Sequence, residues 1–503
     1  VLKYDITVKP DFTTKTISGK NIITYYDSGV TTMQLDLQQP MMIDSIVYEN
    51  NKLNFRREGN VYWVSVRDSL GRYKIKPGIT SLTAFFHGKP KGAINPPWDG
   101  GWIWKKDHNG NPWMSVACQG LGASVWYPCK DHQSDEPDSA ALHIIASSDL
   151  VGIGNGKLRS KIDNNDGTHT YSWAVVNPIN NYNIVPYIGK YVNFNELYKG
   201  EKGNLEMDYW VLDYNLEKAK KQFTDAPKMM KAFEHWFGPY PFYEDGYKLI
   251  ESPHLGMEHQ SAIAYGNNYK NGYYGKDLSE TGWGMKFDFI IIHESGHEWF
   301  ANNITTKDIA DMWVHESFTN YSETLFTDYY YGKKAGNEYV IGTRKKIAND
   351  IPIIGSYGVN NEGSTDMYYK GGNMLHTIRQ IINNDEKFRT ILRGLNKTFY
   401  HQTVTSRQIE NYINKNSGKD FSKVFDQYLR TTLIPTLEYK IEGYTLKYRW
   451  INSIKGFDMP VKIFFKQVQW LKPTEQWKTL SMYPEGDINF SVDKNFYINV
   501  KKL

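Results

Sequence analysis

The chain of 503 residues is 40% hydrophobic, 15% aromatic and 23% charged, with a formal net charge of +4. This composition excludes disordered, collagen-like and coiled-coil proteins, which lack a bulky aromatic core. So small a net charge does not indicate nucleic-acid binding through a strong basic field. No run of 18 apolar residues occurs, so we expect no membrane-spanning helix. At about 150 residues per domain, the length predicts about three domains.

Residues 1–205 have the pattern of a β-rich domain. Short β-branched or alternating segments, separated by Asn-Gly and Asp-Gly turn signals, are typical of strands: residues 6–8, 35–37, 61–66 and 142–146. Their spacing predicts stacked antiparallel sheets rather than βαβ units. The two cysteines, Cys118 and Cys129, exclude a disulfide scaffold; one bridge between them stays possible, and we favour free thiols.

Over residues 206–436, the spacing of apolar residues changes to the period of α-helices. Apolar residues recur at helical spacing within residues 229–237, 374–382 and 421–429, which predicts helices packed in a core. The stretch 267–284, rich in Asn, Gly and Tyr, is predicted to be a long loop. Long loops in compact domains are often functional.

Residues 437–503 return to the pattern of strands. Residues 446–450, 461–465 and 497–500 are rich in β-branched and aromatic side chains, and residues 484–487 read as a turn. This length suffices for one small β domain.

The sequence His293-Glu294-Ser295-Gly296-His297 is an H-E-x-x-H motif. Apolar residues 287–292 precede it, and residues 298–301 continue it, which is compatible with one buried helix. Residues i and i+4 of a helix share a face, so the two imidazoles can bind one metal ion while Glu294 lies beside them. Taken alone, the motif is only moderately specific, and the alternative is two histidines packed on an apolar helix with the glutamate solvated.

A third ligand supports the metal interpretation. Glu316 follows His297 after 18 intervening residues, at the start of another helical segment. A catalytic zinc site uses three protein ligands and keeps one position open for water, and two histidines with one glutamate are a standard set. The pattern therefore predicts one zinc ion per chain, held by His293, His297 and Glu316. Glu323, two turns after Glu316, is predicted either to orient a ligand or to have an ordinary surface or capping role.

Together these motifs resemble the zinc aminopeptidases of the aminopeptidase N and leukotriene hydrolase family, gluzincins with the pattern H-E-x-x-H-x18-E. Residues 293–300 are similar to the family's H-E-x-x-H-x-W-F, residues 313–321 to W-L-N-E-G-F-A-x-Y, and residues 368–371 to Y-x-K-G. Residues 127–131 resemble the end of the family's first sheet domain, and residues 255–259 fall where the family has G-x-M-E-N. The resemblance spans most of the chain.

The chain also departs from the family pattern. Leu255 stands in place of the first Gly of G-x-M-E-N, His259 in place of its Asn, and His315 in place of the Asn before the third ligand. We expect a short form that lacks the family's large C-terminal helical domain. Substrate contacts made by that domain are therefore not carried over.

The resemblance implies a multidomain α+β fold. We expect an N-terminal antiparallel β saddle domain over residues 1–205 and a thermolysin-like, mostly helical catalytic domain over residues 206–436. A small C-terminal β-sandwich domain is expected over residues 437–503.

The resemblance also implies a zinc-dependent aminopeptidase that hydrolyses the N-terminal peptide bond of peptides. Glu294 is expected to take a proton from the attacking water as general base and to deliver it to the leaving amine. Tyr368 is expected to stabilise the oxyanion. Without the Lys370-Gly371 that follows it, Tyr368 would be one more buried tyrosine among 37.

Recognition of the free α-ammonium group is expected to come from acidic and amide oxygens, because a buried cation requires acceptors. The resemblance implies that Glu258 is the main carboxylate and that Gln119 assists it. The backbone of Gly256 and Met257 is expected to run beside the substrate as an edge strand. His254 and His259 flank this strand and are expected to be ordinary hydrogen-bonded histidines or to tune specificity.

Two other functions stay open at this stage: an epoxide hydrolase that uses the same metal, as one branch of the family does, and a non-catalytic peptide-binding protein on the same fold. The expected partners are peptides with a free N-terminus, and neither nucleic acid nor a membrane span is expected. The oligomeric state is not readable from the sequence. A periplasmic or secreted location, with a leader removed, is favoured slightly over a cytoplasmic one.

Overall fold

The computed structural model describes residues 1–67, 74–75, 77–465, 467–482 and 490–503. These residues form two compact units. The first comprises Val1–Lys228 with Tyr240–Lys270, and the second comprises Met229–Pro239 with Asn271–Leu503. The turn predicted at residues 484–487 lies outside the described residues.

The first unit is built mainly from strands. In chain order they are β1 (Lys3–Asp11), β2 (Thr16–Asp27), β3 (Thr32–Asp36), β4 (Met42–Tyr48), β5 (Asn51–Leu53), β6 (Phe55–Glu58), β7 (Val61–Ser65), β8 (Gly78–Gly88), β9 (Gly101–Lys106), β10 (Pro112–Ala117), β11 (Ser139–Ser147), β12 (Val151–Ile153), β13 (Lys157–Asp163), β14 (Thr168–Val175), β15 (Tyr187–Gly189), β16 (Tyr191–Gly200), β17 (Gly203–Leu212), β18 (Tyr247–Glu251), β19 (Gly256–Met257) and β20 (Ile263–Tyr265). Helix α1 (Leu216–Gln222) also belongs to this unit, and α2 (Asp225–Phe237) begins in it.

The largest described sheet has eight strands in the order β13-β14-β11-β1-β2-β8-β4-β5. Alternating buried residues on β1, namely Tyr4, Ile6 and Val8, show that this strand buries one face. The predicted antiparallel arrangement holds for the other pairings of this sheet, but β1 pairs with β11 in parallel. This pair joins strands far apart in sequence, and a parallel pair requires such a long crossover. Cys118 and Cys129 are both buried, and neither thiol forms a disulfide.

A five-stranded sheet in the order β16-β17-β18-β20-β19 ends the first unit. Strand β17 pairs with β18 in parallel, and β18 pairs with β20 in parallel. Strand β19 lies at the edge of this sheet, and among the described residues it pairs only with β20, where Gly256 faces Tyr265. The boundary predicted at residue 205 falls inside β17, so the sheet continues past it.

The second unit contains the other helices. They are α3 (Phe289–Gly296), α4 (Trp313–Tyr331), α5 (Lys333–Gly342), α6 (Tyr369–Ile382), α7 (Asp385–Thr398), α8 (Ser406–Ser417) and α9 (Ser422–Arg430). Its strands are β21 (Ile304–Thr306), β22 (Gln402–Val404), β23 (Thr436–Glu442), β24 (Thr445–Ile451), β25 (Val461–Phe465), β26 (Gln467–Leu471), β27 (Lys478–Ser481), β28 (Ser491–Val492) and β29 (Asn499–Lys502). Strands β23 to β29 form two sheets, in the orders β27-β24-β23-β29 and β26-β25-β28.

The C-terminal strands belong to the same unit as the helices. The Tyr428 hydroxyl of α9 donates to the Tyr497 carbonyl at 2.5 Å, and Nη1 of Arg344 donates to the Lys494 carbonyl at 2.7 Å. The structure thus has the expected α+β architecture of a β-rich region, a helical region and C-terminal strands. The division into three domains stays a prediction.

Between β20 and α3 the chain forms the long irregular segment that the sequence predicts, interrupted by one short 3₁₀ turn at Trp283–Lys286. Within the described residues, no helix is both long and apolar enough to cross a bilayer.

Candidate metal centre and active site

Helix α3 carries the first two predicted ligands. The Asp288 side chain caps its N-terminus by accepting the amide of Ile290 at 3.1 Å. Every residue of α3 is buried, because the apolar run before His293 leaves no polar face. His297 follows the last residue of α3 with helical dihedrals, φ −65° and ψ −19°, so the i, i+4 relationship to His293 is kept. The centres of the two imidazole rings are 5.1 Å apart.

The helix predicted to continue to Ala301 ends at Gly296 instead. Residues Glu298–Asn302 form a π-helical turn, and Phe300 leaves helical dihedrals altogether. The turn brings the Phe300 carbonyl to 3.1 Å from Nδ1 of His297. Because a single π turn is a local insertion rather than a change of periodicity, the sequence pattern does not reveal it.

Helix α4 supplies the third predicted ligand and two supporting contacts from one face. Glu316, Thr319 and Glu323 occupy positions i, i+3 and i+7 of this helix. The Thr319 hydroxyl lies 3.1 Å from Nδ1 of His297, and Oε1 of Glu323 lies 2.8 Å from Nδ1 of His293. The contact of Glu323 agrees with the ligand-orienting alternative of its sequence-based prediction.

The remaining donor atoms fit a single divalent cation. Oε2 of Glu316 lies 3.7 Å from Nε2 of His293 and 3.5 Å from Nε2 of His297. Ligand atoms about 3.3 Å apart are expected around a tetrahedral ion with bonds of about 2.0–2.1 Å. Oε2 of Glu316 is buried and has no hydrogen-bond partner among the described residues. A bound cation would satisfy this oxygen.

The charges around His293 favour a cation at this point. Burial lowers the pKa of the His293 imidazole, but the carboxylates of Glu316 and Glu323 more than offset this and hold its pKa well above the ordinary value. Burial would raise the pKa of the Glu316 carboxyl, yet the imidazoles of His297 and His293 keep it below its ordinary value. The Glu316 carboxyl is therefore ionised near pH 7, as a metal ligand must be.

Glu294 and Tyr368 lie in the same unit as these ligands. Glu294 is adjacent to His293 on α3 and is 9% exposed. The Tyr368 ring lies 6.0 Å from the His293 ring with an angle of 27° between their planes. Tyr368 immediately precedes α6 as its N-cap residue.

The Lys370-Gly371 pair that follows Tyr368 has a structural explanation. A Cβ atom on Gly371 would come within 1.8 Å of the Ser317 hydroxyl, so only glycine permits this approach of α6 to α4. The Ser317 hydroxyl also donates to the Met367 carbonyl at 2.7 Å. Nζ of Lys370 donates to the Thr431 carbonyl at 2.8 Å, and burial lowers its pKa to about 8. These contacts fix the start of α6 and hence the position of Tyr368.

The predicted ammonium-binding residues come together in the first unit. Oε1 of Glu258 accepts hydrogen bonds from Nε2 of Gln119 at 2.6 Å and from the Tyr182 hydroxyl at 2.9 Å. Glu258 directly follows the edge strand β19, which consists of Gly256 and Met257. Tyr182 was not predicted, and nothing in its local sequence singles it out. Thr319, also not predicted, was detectable from its i+3 spacing to Glu316.

Three histidines near the predicted site are buried: His254, which precedes β19, and His259 and His315, which depart from the family pattern. Nδ1 of His259 lies 2.5 Å from the Tyr187 hydroxyl, and Nε2 of His315 accepts the Thr306 amide at 2.9 Å. Burial lowers the pKa of His254 to about 4 and that of His315 to about 3, and it also holds the pKa of His259 well below the ordinary value. All three imidazoles are therefore neutral near pH 7.

The first unit also contains a cavity of about 620 Å³, which is separate from the predicted site residues. Its apolar wall includes Ile17, Met114 and Ile188, and its described lining contains none of the predicted site residues. The volume of a cavity does not by itself identify an active site. The candidate active site is therefore assigned from the chemistry of His293, His297 and Glu316.

Comparison with known proteins identifies a family domain within the chain. Residues 222–428 match the family model described as the peptidase family M1 domain, and this span contains all three predicted metal ligands with Glu294 and Tyr368. The chain carries a peptidase family M1 domain.

The curated relatives of this chain are distant. It is 22% identical over 388 residues to leukotriene A-4 hydrolase of Xenopus laevis, covering 71% of this chain and 60% of the relative. It is 22% identical over 461 residues to the probable aminopeptidase 2 of Sulfurisphaera tokodaii, covering 88% and 55%. With aminopeptidase N of Lactococcus lactis subsp. lactis the identity is 25% over 228 residues, covering 41% and 27%. The chain thus spans 60% or less of the length of these relatives.

Solved structures share the fold over a larger fraction. An M1 zinc metallopeptidase from Deinococcus radiodurans, a variant bound to a Tyr-Ser-Ala substrate, aligns with a TM-score of 0.72 at 17% identity. The alignment covers 86% of this chain and 95% of that one. A two-domain M1 zinc metallopeptidase bound to L-tryptophan aligns with a TM-score of 0.71 at 18% identity and the same coverage. At these identities the likeness shows the fold.

Proposed function

We propose that the protein is a zinc-dependent aminopeptidase, which hydrolyses the N-terminal peptide bond of peptides. The observation that carries this proposal is the convergence of Nε2 of His293, Nε2 of His297 and Oε2 of Glu316 beside Glu294. Two histidines and one glutamate are the zinc ligands of a known class of peptidases.

His293, His297 and Glu316 would hold the ion. Glu323 and the Phe300 carbonyl engage the Nδ1 atoms, which leaves each Nε2 directed towards Glu316. When bound, a zinc ion would supply Lewis acidity, which makes a water molecule nucleophilic near neutral pH.

Glu294 would move the proton. Its carboxylate accepts a proton from the attacking water and then passes it to the nitrogen of the leaving amine. Neighbouring residues on a helix point in different directions, so Glu294 serves this role without being a ligand itself. The buried position of Glu294 strengthens its electrostatic interactions with charged reacting groups.

Tyr368 would stabilise the oxyanion that develops on the carbonyl oxygen of the substrate. Its phenol is a neutral donor on a rigid helix start, and rigid donors act strongly because they need no reorganisation. The contacts of Ser317 and Lys370 described above provide that rigidity.

Glu258 would bind the α-ammonium group of the substrate. The hydrogen bonds from Gln119 and Tyr182 fix the orientation of its carboxylate, which favours one position for the ammonium nitrogen. The open edge of β19 would pair with the backbone of the peptide. Peptides as the substrate class also agree with the Tyr-Ser-Ala substrate of the Deinococcus radiodurans neighbour and with the relatives named aminopeptidases.

The decisive experiment compares peptides that differ only in their first amino group. We expect the zinc-loaded protein to release the first residue of a free tripeptide and to leave its N-acetylated form intact. A chelator should abolish the release and added zinc should restore it. Equal cleavage of both forms would contradict the role of Glu258, and release that persists in chelator would contradict the metal mechanism.

The same experiment addresses the two other functions. A binding protein without catalysis would retain the peptide uncleaved at every zinc concentration. Hydrolysis of an alkyl epoxide without any peptide cleavage would favour the epoxide hydrolase.

A further inference from the structure

The long segment between β20 and α3 contains a tight hairpin at Tyr273–Lys276. The Tyr273 amide donates to the Lys276 carbonyl at 2.9 Å, and the Lys276 amide donates to the Tyr273 carbonyl at 3.0 Å. The Gly272 amide donates to the Phe287 carbonyl at 2.8 Å, which ties the hairpin to the residues just before α3. Gly272 has φ 68°, and a Cβ atom there would come within 2.5 Å of the Lys276 carbonyl oxygen. The hairpin is therefore fixed in place rather than loose.

This hairpin extends a row of aromatic rings that passes the metal ligands. The row consists of Tyr368, His293, Phe289 and Tyr273, which we call the aromatic row. The Phe289 ring stacks on the His293 ring at 5.2 Å, and the Tyr273 ring meets the edge of the Phe289 ring at 5.5 Å with an angle of 74°. Tyr368 thus lies at one end of the row and Tyr273 at the other.

The charge of Glu294 also acts on the Tyr273 hydroxyl. Burial and, after it, the negative charge of Glu294 raise the pKa of the Tyr273 hydroxyl above its ordinary value. The phenol therefore stays neutral under ordinary conditions. Phe289 is 8% exposed, whereas Tyr273 is only half-buried and keeps part of its ring accessible.

The proposed function specifies which part of a substrate reaches this ring. The leaving amine must come within hydrogen-bond distance of Glu294 to take its proton. That amine belongs to the residue after the scissile bond, so the side chain of this residue lies beside Glu294. Phe289 stacks on His293, the chain neighbour of Glu294, and Tyr273 contacts Phe289, so this end of the aromatic row is within reach of that side chain.

We propose that Tyr273 forms a wall of the subsite for the residue that follows the scissile bond and selects aromatic or large apolar side chains there. This inference rests on the proposed aminopeptidase function. Edge-to-face and offset contacts between aromatic rings are favourable beyond their burial of area, and Phe289 supports Tyr273 from behind. Tyr273 is thus a specificity residue supplied by the hairpin.

The test measures kcat/KM for dipeptides with a fixed first residue, Ala-Phe, Ala-Leu and Ala-Gly. We expect Tyr273→Ala to lower the ratio of Ala-Phe to Ala-Gly by about 10-fold or more, since one apolar contact discriminates by roughly 10- to 200-fold. Tyr273→Phe keeps the ring and should keep the ratio. Tyr26→Ala removes a tyrosine that is 67% exposed in the first unit and should change nothing.

A second series varies the first residue and keeps the second residue fixed. Tyr273→Ala should leave the order of preference in this series unchanged. If Tyr273→Ala lowers kcat/KM equally for all second residues, shifts the first-residue preference, or has no effect, the assignment of Tyr273 is wrong, although peptide cleavage by the wild type would still support the proposed function.

A binding measurement tests the role of Tyr273 even when no cleavage is seen. In the zinc-loaded Glu294→Gln background, calorimetry compares the dissociation constants of Ala-Phe and Ala-Gly with and without Tyr273→Ala. We expect tighter binding of Ala-Phe, by about 10-fold, that disappears with Tyr273→Ala. Equal binding of the two peptides to both proteins would overturn the inference. Failure of the wild type to cleave any peptide, with the binding difference intact, would instead overturn the proposed function.

Discussion

Oε1 of Glu323 lies 2.8 Å from Nδ1 of His293, and Oε2 of the same carboxylate accepts the Tyr339 hydroxyl at 2.6 Å. Nδ2 of Asn320 donates to Oε1 at 3.2 Å. Three donors from α3, α4 and α5 therefore hold one buried carboxylate. A carboxylate behind a ligating histidine fixes the ring orientation and raises the basicity of the ligand.

We therefore predict that Glu323→Gln weakens zinc binding by about 10- to 100-fold, the range seen when such a partner is removed. Gln keeps the shape of the side chain but loses its charge. Competition with a chromophoric chelator measures the affinity. Glu217→Gln, on a side chain 84% exposed in α1, is the control and should bind zinc as the wild type does. An unchanged affinity in Glu323→Gln would show that the contact does not support the ligand.

Glu294→Gln should lower kcat by about 100- to 10,000-fold, because the amide cannot accept and return a proton. The metal content should stay at one zinc per chain, since Glu294 is not a ligand in the proposed site. Elemental analysis and single-turnover assays on the same sample separate the two effects. Activity at the wild-type level would contradict the assignment of Glu294.

Tyr368→Phe should lower kcat by about 100- to 1,000-fold and change KM little, because the phenol acts only on the charge that develops during the reaction. The stacked position against His293 does not need the hydroxyl, so the variant should fold and bind zinc normally. Steady-state kinetics on one tripeptide check this. A rise in KM with kcat unchanged would instead show that Tyr368 binds the ground state.

Glu258→Gln should remove the preference for a free N-terminus. We expect kcat/KM for free peptides to fall by about 10- to 100-fold, because a hydrogen bond to a charged group contributes roughly 1.5–3 kcal/mol. Cleavage of N-acetylated peptides should not fall. Glu206→Gln, 59% exposed in the same unit, is the matched control. The ratio of free to acetylated cleavage is the deciding quantity.

His376 should make the stability depend on pH. Burial lowers its pKa to about 3, and its Nδ1 accepts the Tyr321 hydroxyl at 2.9 Å. The unfolded chain binds the proton below a pKa of about 6.5, so this residue contributes stability above that pH and loses it as the pH falls towards 3. Between pH 6 and pH 4, each unit by which the pH falls lowers the free energy of unfolding by about 1.4 kcal/mol for one such group.

We predict that His376→Gln reduces this slope by the contribution of one proton, as measured by urea unfolding at several pH values. Other buried histidines, such as His254 and His315, keep the remaining slope above zero. Ile94→Ala changes a non-titrating residue that is 89% exposed and should leave the slope unchanged. A steeper slope in His376→Gln would have the wrong sign for this explanation.

The sequence brings the three predicted metal ligands together because their geometry is local. His293 and His297 are separated by one helical turn, and Glu316 begins the next long helix, so spacing and periodicity place them. The helical segments ending at Phe237 and Ile382 are likewise found near the predicted positions.

The other features depend on contacts between distant residues. The parallel pairing of β1 with β11 and the hydrogen bond from Tyr182 to Glu258 join residues far apart in the chain. The π turn after His297 and the hairpin at Tyr273 are local backbone conformations without a distinctive sequence pattern. Only the three-dimensional arrangement reveals them.

One face of α4 holds the proposed ligand Glu316, a partner of His297 and a partner of His293. A metal ion can bind all of its ligands only while α4 is folded. Metal binding therefore stabilises the folded form of this helix. Partial opening of α4 would weaken all three attachments at once. Release of the ion should accordingly precede global denaturation, so that chelators accelerate unfolding by capturing the ion from transiently opened molecules.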